Sequence, residues 1–183
     1  MVTDPLRIGL IGAGAIGAWH ARIVAERRDA VLAAVCDSDA GRASVLAARY
    51  GAKPFVDAAD LFADVALDGV IIASPERVHG EHARLAAAAG VPMLIEKPVA
   101  PDPVGVEAIR AVTEGSGVAV MAGHVERFEI GSAGLKAAVE QGVCGGVVTI
   151  AARRRFVAAD TPRFKGLSTT LRILGVHDFD LVA

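Results

Sequence analysis

The stretch Gly12-Ala13-Gly14-Ala15-Ile16-Gly17 decides how this chain is expected to fold, because of the segments on either side of it. A short apolar run, Leu6 to Ile11, precedes it and is typical of a buried strand. An alanine-rich segment, Ala15 to Glu26, follows it and indicates a helix. A second apolar run, residues 31–36, ends at Asp37, about 20 residues beyond the last glycine. The predicted order is strand, glycine turn, helix, strand and carboxylate.

This order is the one that a dinucleotide site requires. Gly12 permits the tight turn off the strand, Gly14 lets the backbone approach a pyrophosphate, and Gly17 lets the helix pack closely on the strand. The free N–H groups at the helix start, with the positive end of its dipole, would face the phosphates. The alternative is a tight structural turn. The predicted cofactor site contains Gly12, Ala13, Gly14, Ala15, Ile16, Gly17 and Asp37.

Asp37 bears on which dinucleotide the site would take. Its carboxylate could accept hydrogen bonds from both hydroxyls of the adenosine ribose, and its charge would repel a 2′-phosphate. Ser38 and Asp39 follow it rather than an arginine, which favours NAD over NADP. Arg42 could still swing toward a 2′-phosphate, so NADP stays the less favoured alternative.

Composition is typical of a soluble α/β protein and disfavours several other classes. A net charge of −2 gives no electrostatic reason to expect nucleic acid or an anionic membrane as a partner. No apolar stretch reaches transmembrane length, and no signal peptide is evident. The run Arg153-Arg154-Arg155 indicates a solvated strand end, with a nucleic-acid patch or a contact to a phosphate-bearing substrate as the alternatives. Cys36 and Cys144 show neither metal spacing nor a disulfide pattern, so no metal site is expected and the cytoplasm is the predicted compartment.

The first two-thirds of the chain alternates predicted strands and helices. Beyond the opening unit, helices are predicted at 40–50, 58–62, 78–89 and 103–114, and strands at 53–56, 70–73, 92–95 and 117–122. This alternation predicts an α/β fold with a doubly wound parallel sheet. We expect a dinucleotide-binding domain at residues 1–123 and the start of an incomplete second α/β domain at 124–183.

Ligands on such sheets bind beyond the carboxyl ends of the strands, so the loops after the strands are expected to carry the site. Their unusual residues are Ser74, Pro75 and His79 after one strand, Glu96 and Lys97 after the next, and His124 and Arg127 after the last. A lysine at a strand's carboxyl end faces the cofactor crevice, which favours a site role for Lys97 over a surface position. Glu96 could line the site or form an ion pair or backbone anchor. His79 could approach the cofactor or cap its helix.

Taken together, several motifs resemble the glucose–fructose oxidoreductase and inositol dehydrogenase (Gfo/Idh/MocA) family. They are Ala73-Ser74-Pro75 through His79, Ala86 to Gly90, Glu96 to Ala100, Gly123 to Phe128 and Gly175 to Leu181. The resemblance implies an NAD- or NADP-binding Rossmann domain, then an α/β domain with a large sheet that often mediates oligomers, so a homo-oligomer is expected. It also implies hydride transfer between the cofactor and a secondary alcohol of a sugar, cyclitol or nucleotide sugar.

The resemblance further implies roles for particular residues. Lys97 matches a lysine that contacts the reacting hydroxyl or the nicotinamide ribose, and His177 matches a histidine that shuttles the proton. Asp180 matches a position near the substrate, and we add His124 and Arg127 to the predicted substrate site. A histidine suits proton transfer near neutral pH, and a lysine ammonium favours a developing alkoxide. A core or helix-start position is the alternative for His177.

Two features depart from the family pattern. Members often carry an aspartate four residues before the histidine, where this chain has Ile173, so His177 would lack that partner or use another, such as Asp180. The chain also ends at Ala183, with residues 130–141 predicted as a helix and 146–153 as the first strand of the second domain. Either another chain supplies the missing strands or the chain is a truncated product. An NAD-dependent oxidoreductase is therefore the leading hypothesis, and a non-catalytic dinucleotide-binding module (a truncated subunit or redox sensor) is the alternative.

Overall fold

The computed structural model describes residues 4–153 and 175–182. The chain divides into two compact units, Met1–Gly123 and His124–Ala183. No helix in the described residues is long and apolar enough to cross a membrane. The assignment of the second unit to substrate binding and oligomerisation stays a prediction.

The first unit is built on a sheet of six strands in the order β3-β2-β1-β4-β5-β6, with every neighbouring pair parallel. The strands are β1 Leu6–Ile11, β2 Ala30–Cys36, β3 Lys53–Phe55, β4 Gly69–Ile72, β5 Met93–Ile95 and β6 Val120–Ala122. The helices are α1 Ala15–Ala25, α2 Ala40–Tyr50, α3 Ala58–Asp64, α4 His79–Ala88 and α5 Pro103–Ser116, with a 3₁₀ turn at Glu76–Val78. The predicted doubly wound parallel sheet is confirmed, and its strand order reverses beside β1.

The ends of several helices are set by residues that the sequence supplies locally. Asp39, Asp57 and Asp102 each accept a hydrogen bond from a backbone N–H in the first turn of α2, α3 and α5. Such a cap typically contributes about 1 kcal/mol. Helices α2 and α5 end at Gly51 and Gly117, both in the left-handed region with φ of 69°. These signals explain why the predicted helices fall close to the observed ones.

Apolar side chains fill both faces of the sheet. Leu10 packs with one cluster, which contains Ala21 of α1 and Leu46 of α2, while its neighbour Ile11 packs with the other, which contains Leu61 of α3 and Ile72 of β4. Successive strand residues point to opposite faces, so strands covered on both sides need continuous apolar runs. This requirement is the physical reason that β1, β2 and β4 carry so few polar residues.

The described part of the second unit is made of short elements. A 3₁₀ turn spans Val125–Phe128, and two helices follow at α6 Ile130–Glu140 and α7 Val176–Val182. The predicted strand at 146–153 is wrong: these residues form no strand, and Val148 is almost fully exposed. A strand needs a neighbour to pair its N–H and C=O groups, and among the described residues none pairs with this segment.

Candidate functional site

The glycine turn lies at the carboxyl end of β1, beside the point where the strand order reverses. Gly12 has a φ of +104°, and a Cβ there would lie 2.6 Å from the carbonyl carbon and oxygen of Ala73. A Cβ at Gly17 would collide with the carbonyl oxygen of Gly12. At Gly14, by contrast, a Cβ would meet no protein atom within 4 Å. Packing therefore requires the first and third glycines, whereas the second keeps the backbone open toward a ligand.

Asp37 is held against this turn. Its Oδ2 accepts a hydrogen bond from the backbone N–H of Ala13 at 2.8 Å, and its Oδ1 accepts one from the N–H of Asp39 at 2.9 Å. The Arg42 guanidinium donates to the same Oδ1 at 2.7 Å. Burial alone would raise the pKa of Asp37, but these donors outweigh it and hold the pKa below its usual value. The carboxylate therefore stays ionised beside the turn, and the predicted pairing of turn and acid is present.

Arg42 is accordingly engaged before any ligand arrives. The side chain is exposed, and it also lies 3.4 Å from Asp39. A carboxylate offers about four acceptor positions, and Asp37 already uses three of them. A ribose diol would therefore have to share Asp37 with Arg42 or displace it.

His79 and Ser74 form a connection between two loops. The His79 ring is fully buried, with Nδ1 3.1 Å from the carbonyl oxygen of Val99 and Nε2 2.7 Å from that of Ser74. Pro75 begins the turn between Ser74 and α4. Because both ring nitrogens face carbonyl oxygens, the geometry favours a role in holding the loops after β4 and β5 over a cofactor contact.

The hydroxyl of Ser74 contacts a second histidine that sequence reasoning did not single out. Ser74 Oγ lies 2.9 Å from Nδ1 of His82, one turn further along α4. Burial lowers the pKa of His82, which favours the neutral ring. A neutral ring can accept a hydrogen bond from the Ser74 hydroxyl or donate one to its oxygen, depending on the tautomer. Ser74 thus has both its hydroxyl and its carbonyl engaged by histidines of α4.

Glu96 makes contacts of the kind expected from one of its two predicted alternatives, a close side-chain pair and a backbone anchor, and its place in the cofactor site stays a prediction. Its Oε1 lies 2.8 Å from Nε2 of His20 on α1, and its Oε2 accepts a hydrogen bond from the N–H of Lys97 at 3.1 Å. Burial would raise the pKa of Glu96, but the contacts with His20 and Lys97 lower it on balance. A Cβ at Gly123 would come within 3.2 Å of Glu96, so that residue also packs on the acid.

His20 is the residue that sequence reasoning missed here. It lies three residues after Gly17 on α1, whose other polar side chain is Arg22, and a histidine so close to the glycine turn was the available signal. Through Glu96, His20 connects the helix of the glycine turn to the loop that carries Lys97. Lys97 itself is half-buried at the end of β5, and its peptide bond to Pro98 is cis.

Three of the predicted substrate residues come together in the second unit. Arg127 donates from Nε and Nη2 to the two carboxylate oxygens of Asp180, at 2.7 and 2.5 Å. His124 Nδ1 lies 3.6 Å from the same carboxylate. The hydrogen bonds from Arg127, more than any other contact, hold the pKa of Asp180 below its usual value. Asp180 is therefore an ionised acid committed to Arg127.

His177 lies in the same unit with a different acid. Its Nδ1 is 3.6 Å from Oε1 of Glu126, and both side chains are largely buried. Glu126 was not among the predicted site residues, although it lies between the predicted His124 and Arg127. Across the described parts of the chain, no group of three or more histidine, cysteine, aspartate or glutamate side chains is placed to hold a metal ion.

A strand order of β3-β2-β1-β4-β5-β6, with the glycine turn and its acid at the reversal point, defines a dinucleotide-binding domain of the Rossmann class. Sequence comparison agrees, because residues 6–124 match the model of the Gfo/Idh/MocA oxidoreductase family with its NAD-binding Rossmann fold. The chain belongs to this family, and the resemblance noted in its motifs is confirmed.

Similar proteins include several dehydrogenases. The chain is 32% identical over 178 residues to an inositol 2-dehydrogenase of Rhizobium meliloti strain 1021, covering 96% of this chain and 53% of that protein. It is 34% identical over 155 residues to a D-glucoside 3-dehydrogenase of Escherichia coli strain K12, covering 84% and 44%. The crystal structure of apo scyllo-inositol dehydrogenase from Lactobacillus casei superimposes with a TM-score of 0.93 at 25% identity, covering 100% and 55%. The chain spans about half the length of the curated relatives it matches.

Proposed function

We propose that the chain binds NAD and acts as an oxidoreductase, or as part of one. The reaction is the transfer of a hydride between this cofactor and a secondary alcohol of a sugar, cyclitol or nucleotide sugar. The observation that carries the proposal is the ionised Asp37, buried and hydrogen-bonded to the glycine turn. Family membership and the relatives that act on inositol and glucosides support the reaction class.

The described residues fit the cofactor. The open backbone at Gly14 and the N–H groups at the start of α1 would hold the pyrophosphate, and Asp37 would accept a hydroxyl of the adenosine ribose. Ser74, Pro75 and the Glu96–Lys97 segment would border the rest of the dinucleotide, as we expected from the sequence. When bound, the nicotinamide supplies the hydride acceptor or donor.

The remaining chemistry would fall to two side chains. The ammonium of Lys97 would stabilise the alkoxide that develops as the hydroxyl proton leaves. His177 would take that proton, because an imidazole exchanges protons near neutral pH. His124, Arg127 and Asp180 would contribute to the substrate side as one connected group. NAD stays the favoured cofactor and NADP the alternative, because Asp37 is ionised and Arg42 stands beside it.

The cofactor site is tested by blocking it without disturbing the fold. NADH is titrated against the chain while the fluorescence of Trp19 on α1 is followed. We expect saturable binding in the parent and its loss in Gly14→Ala, since the added Cβ would meet no protein atom within 4 Å but would lie where the pyrophosphate approaches the backbone. Gly131→Ala, at another open position far along the chain, is the matched control. A parent that binds neither NADH nor NADPH would overturn the proposal.

Activity separates the enzyme from the alternative, a non-catalytic dinucleotide-binding module. Ile173 in place of the expected aspartate favours that alternative. Absorbance of NADH is followed after inositols, sugars and nucleotide sugars are added with NAD. Turnover that Lys97→Ala abolishes while NADH binding persists supports the enzyme, whereas binding without turnover of any compound supports the module. A solution mass measurement tests the predicted homo-oligomer, and the cytoplasm remains the predicted compartment.

A further inference from the structure

We propose that Glu126 is the positioning residue for His177, holding the imidazole in the orientation that proton transfer needs. The inference rests on the proposed function, in which His177 exchanges the proton of the substrate hydroxyl. Glu126 lies in the turn Val125–Phe128. From the sequence, Asp180 was the candidate for the acid that positions His177.

The first step is the geometry of the pair. Oε1 of Glu126 lies 3.6 Å from Nδ1 of His177, with 18% and 11% of the two side chains exposed. A carboxylate at this distance from Nδ1 favours the tautomer that carries its proton there, and a small movement makes the contact a hydrogen bond. The other nitrogen, Nε2, is then the atom that accepts a proton from a ligand.

The second step concerns the competing acid. Asp180 lies three residues after His177 on α7, but both of its oxygens accept hydrogen bonds from Arg127. The Arg127 hydrogen bonds dominate the surroundings of Asp180, which also lies 3.6 Å from Nδ1 of His124 and interacts electrostatically, more weakly, with His177. Oε1 of Glu126, by contrast, lies within ion-pair distance of Nδ1 of His177.

The third step concerns residue 173, the position where an aspartate that positions the histidine was expected. Ile173 stands four residues before His177, and an aliphatic side chain can neither accept a hydrogen bond nor stabilise an imidazolium. An acid that positions His177 must therefore lie elsewhere in the chain. Glu126 reaches His177 although 50 residues separate the two in the sequence.

The test is an NMR titration of the histidine side chains in the whole chain, with His177 assigned by comparison with His177→Asn. In Glu126→Gln we expect the His177 midpoint to fall by about one pH unit, because a nearby negative charge is lost. The Nδ1–H tautomer should persist, since the amide oxygen still accepts a hydrogen bond. In Glu126→Leu the His177 midpoint should fall as well, and the preference for the Nδ1–H tautomer should also be lost, because leucine offers neither a charge nor a hydrogen-bond acceptor.

Glu129→Gln is the matched control, because it removes the same charge from an exposed position three residues away. An equal midpoint shift in Glu129→Gln and Glu126→Gln would overturn the proposal, and so would an unchanged midpoint in Glu126→Gln. A larger shift in Asp180→Asn than in Glu126→Gln would assign the role to Asp180 instead. NADH titration of the same samples reports on the proposed function separately, since loss of cofactor binding leaves the histidine titration measurable.

Discussion

Asp37 in the first unit and Asp180 in the second are both ionised acids held by an arginine, yet their surroundings differ. Asp37 follows a strand that is paired on both sides, and it accepts two backbone N–H groups in addition to Arg42. Asp180 lies on a helix of seven residues and takes its hydrogen bonds from the side chain of Arg127. The first unit therefore positions its acid through the backbone of a sheet, whereas the second does so through side chains of short elements.

The apolar residues of the two units show the same contrast. Ile72 of β4 is 0% exposed, while Val148 in the second unit is 94% exposed. Helices cover both faces of the first unit's sheet around β1, so that unit encloses its own core. We conclude that the first unit supplies most of the apolar burial that stabilises the described chain.

The largest effect is expected from truncating that core. Ile72→Ala should lower the free energy of unfolding by about 2–5 kcal/mol, because it removes buried methyl groups and leaves a cavity. Val148→Ala, its counterpart in the second unit, should change this free energy by no more than about 0.5 kcal/mol. Urea unfolding of both variants measures the difference. An equal loss of unfolding free energy in the two variants would show that Val148 is as buried in solution as Ile72, which would contradict the difference between the two units.

The next effect concerns the acid at the glycine turn. Asp37→Ala should weaken NADH binding about 10- to 100-fold, because hydrogen bonds to an ionised group typically contribute about 1.5–3 kcal/mol. NADPH binding should fall less, since the same change removes repulsion of its 2′-phosphate. Fluorescence titration with both cofactors measures the ratio, with Asp60→Asn, an exposed acid on α3, as the control. A greater loss for NADPH than for NADH would contradict the assignment of Asp37.

A smaller effect is expected from the pH dependence of stability in the first unit. The folded pKa of Glu96 lies below its ordinary value of 4.5, so the stabilisation from its contacts is present above that value. It is lost as the pH falls through the folded pKa, because the unfolded chain binds the proton first. Glu96→Gln should therefore flatten the decline of unfolding free energy in urea titrations below about pH 5. Exposed Glu140→Gln is the control, and an unchanged slope in Glu96→Gln would count against the His20–Glu96 pair.

The smallest effect sharpens the role of the arginine on Asp37. Arg42→Met should tighten NADH binding and weaken NADPH binding, each by about 2- to 5-fold, because a half-exposed ion pair contributes at most about 1 kcal/mol. The reason is competition: Arg42 shares Asp37 with the ribose and offsets its charge toward a 2′-phosphate. Arg49→Met on the same helix serves as the control. If the affinities for NADH and NADPH changed in the same direction by the same factor, Arg42 would not discriminate between the two cofactors.

Sequence reasoning succeeded where the signal is local. The glycine turn and the apolar strands each depend on residues a few positions apart, and the structure confirms the resulting parallel sheet. It failed at residues 146–153, because an apolar run indicates a strand only where another strand pairs with it.

The candidate site was predictable in outline but not in its contacts. Lys97, Glu96 and His79 were expected in the loops that follow the strands and lie there, yet the partners that Glu96 and His79 contact could not be anticipated. The same holds for Arg42, which the sequence placed near Asp37 without showing that the two bind. The roles of all these residues toward cofactor and substrate stay predictions.

By itself, the sequence determined the alternation of strands and helices, the turn that a dinucleotide requires and the acid beside it. These depend on backbone geometry and hydrophobic periodicity, which neighbouring residues settle among themselves. Only the tertiary structure decided that His20 contacts Glu96, that Glu126 lies 3.6 Å from His177 and that Asp180 pairs with Arg127. Such pairs join residues far apart in the chain, and their partners are chosen by how the strand ends and short helices pack together.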